Sequence, residues 1–114
     1  MRDLLEPECE VVATVEDGRA ALNAVSQYRP DLVLVDVSLP NMNGFAVLEA
    51  LRQSHPEIRV MMVTAHAEPA YLKRAFELGA SAYLTKGAIR MELLAAVREV
   101  LRGGRYSSDL LRHL

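Results

Sequence analysis

Asp36, Thr64 and Lys86 each stand at the end of a short run with strand character: Asp36 closes Leu32-Val33-Leu34-Val35, Thr64 closes RVMMVT, and Lys86 follows SAYLT. A carboxylate at a strand end can act as a nucleophile and form an acyl phosphate. A transferring phosphoryl group spreads its charge over its oxygens, so its neighbours contribute positioning and electrostatic stabilisation rather than covalent chemistry. Lys86 would pair with one phosphoryl oxygen and the Thr64 hydroxyl would donate to another. A Mg²⁺ ion held by Asp36, the backbone carbonyl of Ser38 and neighbouring oxygens would offset the repulsion between a carboxylate and an incoming dianion.

Taken singly, each residue has a plainer role. Asp36 serves as an Asx-turn residue, Thr64 as a strand-end hydroxyl bonded to backbone, and Lys86 as a solvated surface charge. Their weight comes from the set, because three strands deliver three complementary groups. Other reactive side chains form no such set. His55, His66 and His113 lack metal-ligand spacing. Cys9 is the one cysteine; it cannot form an internal disulfide and reads as a small core residue. Met61 and Met62 lie inside a strand and read as core.

The elements that must position the three groups follow from pattern and punctuation. The run before Asp36 has no helical spacing and is rich in β-branched residues, as in a parallel strand buried on both faces. Pro40, Asn41, Asn43 and Gly44 then break regular structure, and Asn43 is the expected N-cap of a helix carrying Phe45, Leu48 and Leu51. Glu10–Val15 (EVVATV) reads as a preceding strand, and Arg19–Tyr28 as a helix with a stripe of Ala20, Leu22 or Ala21, Ala24 and Val25, ended by Pro30. Pro69 opens a helix to Leu78, with Tyr71, Leu72, Ala75, Phe76 and Leu78 as its buried positions, and Gly79 stops it. Ser81–Thr85 is shorter and more polar than the other strands, which suits a sheet edge. The last long helix, Met91–Arg102, places Leu93, Leu94, Val97, Val100 and Leu101 on one face. Ser107 caps a short amphipathic tail, Asp109–Leu114.

Strand and helix alternate with crossovers of helical length, so the fold class is α/β: a parallel sheet, four strands visible, covered on both faces and linked by right-handed connections. With 114 residues the chain makes one small domain. Thirteen basic against fifteen acidic side chains leave it near neutrality, without the electrostatic footprint of nucleic-acid or anionic-membrane binding through this segment. Nothing reads as a signal peptide or spanning segment, and the cysteine usage fits a reducing cytoplasm.

The segments PDLVLVDVSLPNMNGFAVLEALR, VMMVTAH and GASAYLTKG together resemble the receiver domain of bacterial two-component response regulators, over nearly the whole chain. The resemblance implies a flavodoxin-like, doubly wound three-layer fold with sheet order 2-1-3-4-5. It implies phosphorylation of Asp36 by a sensor histidine kinase, Thr64 as switch hydroxyl, Lys86 as phosphate-binding lysine, and Tyr83 as the aromatic that repositions when Thr64 moves. Residues 103–108 (GGRYSS) resemble the end of receivers that precede a LuxR-type helix-turn-helix domain, so a DNA-binding output domain is expected to be missing from this chain. On this basis residues 1–106 form the receiver body and 107–114 a tail or the start of a linker.

The chain also departs from that pattern. A complete receiver starts with a strand ending in two adjacent acidic residues that help hold Mg²⁺, and Glu6, Glu8, Glu16 and Asp17 do not match that motif. Weak Mg²⁺ binding, an N-terminally truncated domain, and direct pairing of EVVATV with DLVLVD are the corresponding expectations. The leading function is a phosphoacceptor switch, not an enzyme, that homodimerises through the Pro69–Leu78 helix, SAYLT and the Met91–Arg102 helix. Two alternatives follow: a phosphorylation-deficient pseudo-receiver acting as an interaction module, and an aspartate-nucleophile phosphatase of the haloacid dehalogenase type. The last expects an Asp two residues after the nucleophile, where this chain has Ser38.

Overall fold

Two Asx caps set where helices begin. Asp17 Oδ1 accepts the Ala20 N–H at 2.8 Å to open α1 (Gly18–Tyr28), and Asn43 Oδ1 accepts the Ala46 N–H at 3.0 Å to open α2 (Gly44–Ser54). Each satisfies one of the backbone donors that a helix N-terminus leaves unpaired. Arg29, in the left-handed region at φ 47°, ends α1 just before Pro30. The computed structural model describes residues 17–37, 43–65 and 69–108. The expected EVVATV strand, its pairing with DLVLVD, Cys9, His66, His113, Ser38 and the Asp109–Leu114 tail lie outside the described residues.

The remaining elements are β1 (Leu32–Asp36), β2 (Arg59–Thr64), α3 (Pro69–Glu77), β3 (Ala82–Thr85), α4 (Ile89–Leu101) and β4 (Tyr106–Ser107). The four strands form one parallel sheet in the order β1-β2-β3-β4. Alternation along each strand sorts the side chains into two layers. Val35, Val60, Met62 and Tyr83 pack with Ala21 and Val25 of α1, Val47, Leu48 and Leu51 of α2, and Ala75 of α3. On the other face Met61, Val63, Ala82 and Leu84 pack with Ile89, Leu93, Ala96, Val97 and Val100 of α4. The result is the three-layer α/β arrangement expected from the pattern.

Several local expectations are corrected. The SAYLT strand is an interior strand, flanked by β2 and β4, and all four residues of β3 are buried; its short, polar look reflects its end at the site rather than an exposed edge. Ser107, expected as the cap of a tail, is instead a strand residue: Tyr106 and Ser107 pair with Ala82 and Tyr83. In β1 only Val35 is buried, while Leu32, Val33 and Leu34 are half-buried, less than full burial on both faces. Tyr71 is exposed, because α3 turns it away from the sheet and beside Phe45, the two rings forming a T-shaped pair with centroids 5.8 Å apart. Leu101 is exposed as well, since Leu93, Val97 and Val100 occupy the buried stripe of α4 and Leu101 ends that helix beyond it. Met61 and Met62 are fully buried, as core residues should be. Gly79 stops α3 at φ +100°.

Candidate functional site at the strand ends

Asp36, Thr64 and Thr85 are the last residues of three adjacent parallel strands, and Lys86 follows directly on Thr85. In open α/β sheets this is the end where ligands bind. Register fixes the alignment: Asp36 lies beside Val63, and Thr64 beside Thr85. Backbone bonds carry the alignment past the strand ends, with Val37 N–H donating to the Val63 carbonyl at 2.9 Å and Lys86 N–H to the Thr64 carbonyl at 2.7 Å.

The structure brings Asp36 and Lys86 into direct contact. Lys86 Nζ lies 2.6 Å from Asp36 Oδ2, a charge-assisted pair with the carboxylate 27% and the lysine 50% exposed. A partly open carboxylate of this kind is reachable by an incoming phosphoryl donor, and its pairing cation is already in place. Thr64 is almost completely buried at the end of β2, between the other two. Tyr83 is fully buried, on the same face as Met62 and directly beside it in register, two residues before Thr85. It is therefore a core side chain of the layer made with α1, α2 and α3, one diagonal step from Thr64.

Gly44 was legible in the sequence only as a turn residue, yet it shapes the site. A Cβ on it would lie 2.6 Å from the Asp36 carbonyl oxygen and 2.8 Å from Val37 Cα, both backbone atoms. The N-terminus of α2 thus approaches the end of β1 more closely than any side chain allows, and Gly44 N–H donates to the Val37 carbonyl at 3.0 Å. Ser108 was missed altogether. It is fully buried, and its hydroxyl accepts the Thr85 N–H at 3.1 Å. Its only sequence signal was a pair of serines after Tyr106.

Among the described residues, no three His, Cys, Asp or Glu side chains converge as metal ligands. Asp36 supplies a single carboxylate there, with one oxygen already paired to Lys86. A Mg²⁺ ion demands near-octahedral oxygen coordination, so the described side chains do not by themselves make its site. His55 instead sits at the end of α2, with its Nδ1 2.9 Å from Ser54 Oγ.

Two surface clefts lie away from Asp36. The larger, about 480 Å³, gathers Arg98, Arg102 and Arg105 with Glu99 beside α4 and β4; Arg102 is bound to Glu99 at 3.0 Å. Basic side chains at the end of a helix are favoured by its dipole. Among the described residues, no helix is long and apolar enough to cross a membrane.

The family model for the response regulator receiver domain matches residues 1–98. The chain is similar to the transcriptional regulatory protein DegU of Brevibacillus brevis, 37% identical over 109 residues that cover 96% of this chain and 46% of that protein. It spans about half the length of the curated relatives it matches. Among solved structures, a two-component response regulator of the LuxR family from Aurantimonas sp. SI85-9A1 superposes with a TM-score of 0.93 at 32% identity, covering 98% of this chain and 81% of that one. The signal receiver domain of NarL from Mycobacterium tuberculosis gives 0.83 at 34% identity, covering 89% and 83%. With its parallel sheet, its strand-end carboxylate and its match over most of the length, the chain belongs to the response regulator receiver domain family of two-component systems.

Proposed function

We propose that Asp36 is the phosphoacceptor of this receiver domain and that a sensor histidine kinase supplies the phosphoryl group. The observation that carries this reading is the 2.6 Å contact between Lys86 and Asp36 at the shared end of the sheet. A carboxylate oxygen of Asp36 attacks phosphorus, the P–N bond to the kinase histidine breaks, and the electron pair leaves with the imidazole. The product is an acyl phosphate. The carboxylate loses its own charge and gains a group of about −2, so Lys86 moves its pairing from Asp36 Oδ2 to a phosphoryl oxygen. Thr64 donates its hydroxyl to another, and Tyr83 repacks as Thr64 moves.

Receiver domains generally bind Mg²⁺ at the phosphorylation site. Bound beside Asp36 and the Ser38 carbonyl, it would supply charge neutralisation; the single described carboxylate argues that this binding is weak. The same observation favours a second reading, a pseudo-receiver that binds partners without being phosphorylated. In either case the chain acts as a switch or interaction module rather than as an enzyme, in the cytoplasm. A homodimer surface would use α3 and α4; the side chains of β3 are buried and contribute none. A DNA-binding output domain would lie beyond this segment.

Incubation of the chain with acetyl phosphate and Mg²⁺, followed by phosphate-affinity electrophoresis and mass spectrometry, tests the proposal. One hydroxylamine-labile phosphoryl group on Asp36, lost in Asp36→Asn, is the expected result. An adduct elsewhere overturns the assignment, and no adduct at all selects the pseudo-receiver.

A further inference from the structure

Ser108, outside the phosphoacceptor set, bonds the backbone of the residue before the lysine. Ser108 is fully buried, although serine is seldom so unless it is bonded. Its hydroxyl accepts the Thr85 N–H at 3.1 Å, and its own N–H donates to the Tyr83 carbonyl at 3.1 Å. The reason lies in the ladder. β4 pairs with β3 only through Ala82–Tyr106 and Tyr83–Ser107, so the ladder stops before Thr85. Thr85 is itself buried, and a buried N–H needs an acceptor. The Ser108 side chain takes the place of the next rung.

That rung sits directly before Lys86. Consecutive peptides leading into Lys86 are held from the two neighbouring strands: Ser108 Oγ accepts the Thr85 N–H of the Leu84–Thr85 peptide on the β4 side, and the Thr64 carbonyl accepts the Lys86 N–H of the Thr85–Lys86 peptide on the β2 side. The Thr85 carbonyl accepts from Ala88 N–H at 3.1 Å, closing the turn. The start of the lysine side chain is therefore fixed by three backbone contacts, one of them supplied by a side chain near the end of the described chain. The segment that supplies it is anchored in turn, with the Tyr106 hydroxyl donating to Glu92 Oε1 at 2.7 Å and the Arg105 guanidinium 5.7 Å from the Phe76 ring centroid on α3.

We propose that Ser108 is a positioning residue for Lys86, and that through it the 105–108 segment is energetically coupled to the phosphoryl state of Asp36. This rests on the phosphoacceptor reading above. Any shift of Lys86 from the carboxylate onto a phosphoryl oxygen loads the backbone at Lys86 and, through the adjoining Thr85, the Ser108 contact. Coupling of this kind is reciprocal: if phosphorylation alters how firmly 105–108 is docked, loss of the Ser108 contact must alter how well the site holds a phosphoryl mimic.

The test uses the 114-residue chain, beryllofluoride with excess Mg²⁺ as the phosphoryl mimic, and three readouts. In the wild type, amide hydrogen exchange at Tyr106 and Ser108 is compared with and without the mimic, and a change in protection is expected. In Ser108→Ala the Thr85 amide resonance should shift and the affinity for the mimic should fall by about fivefold or more, the lower range of allosteric couplings. In Tyr106→Phe, which removes the bond to Glu92 while leaving the Ser108 hydroxyl in place, the affinity should fall clearly less than in Ser108→Ala. Equal losses in both variants would mean general loosening and overturn the assignment, as would wild-type affinity in Ser108→Ala. Should Ser108→Ala not fold, the wild-type exchange measurement decides by itself. A wild type that binds no mimic, or an Asp36→Asn variant that binds it normally, removes the phosphoacceptor reading and this one with it; normal Asp36-dependent binding with an indifferent Ser108→Ala removes only this one.

Discussion

Lys86 and Asp36 meet at 2.6 Å although their strands are not neighbours: β2 lies between β1 and β3, and its last residue is Thr64. The lysine thus reaches across the end of the middle strand, and the space over Thr64 is bounded by a cation on one side and a carboxylate on the other. The pair is half open to solvent, which decides how much it contributes to stability and how much to chemistry.

Replacing Lys86 by Ala should change folding stability by less than about 1 kcal/mol, since exposed ion pairs contribute little. Retention of a phosphoryl mimic should fall about tenfold or more, because a hydrogen bond to a charged group is worth roughly 1.5–3 kcal/mol. Urea denaturation and a beryllofluoride titration measure the two separately; a large loss of stability with unchanged mimic binding would contradict the assigned role.

Gly44→Ala sets helix propensity against packing. Alanine should favour the first turn of α2 by up to about 1 kcal/mol, but its Cβ would meet the Asp36 carbonyl oxygen and Val37 Cα, neither of which can swing away. Overpacking typically costs about 1–3 kcal/mol, so the net change is destabilising. Because the relief has to come from the end of β1, mimic binding should weaken together with the urea midpoint.

For Asn43→Ala the expected loss is about 1 kcal/mol, the usual cost of removing an N-cap side chain. The lost contact is the bond from Ala46 N–H to Asn43 Oδ1. Asn43→Asp should retain most of the stability, and thermal unfolding followed by circular dichroism distinguishes the two.

Mg²⁺ and the Lys86 ammonium compete for the same carboxylate. Calorimetric titration should show weak Mg²⁺ binding to the wild type, no binding in Asp36→Asn, and tighter binding in Lys86→Ala, where Asp36 Oδ2 has lost its paired cation. Weaker binding in Lys86→Ala would show that the ion is held elsewhere.

Features that depend on near neighbours along the chain were legible before any fold was known. Apolar runs ending in Asp36 and Thr64 became β1 and β2, Asn43 capped α2, and Gly79 stopped α3. The parallel topology put the three strand-end groups at one end of the sheet. Which residues share a rung emerged with the assembled sheet. Two residues, Tyr106 and Ser107, have no periodicity to read; they are a strand because Tyr106 N–H finds the Ser81 carbonyl and Ser108 N–H the Tyr83 carbonyl. That pairing turned SAYLT from an apparent edge into an interior strand and buried Ser108 against Thr85. The exposure of Tyr71 and Leu101 was likewise settled by which helix faces the sheet covers. Hydrogen bonds between distant segments and the coverage of a helix face are properties of the assembled layers, and no local spacing carries them.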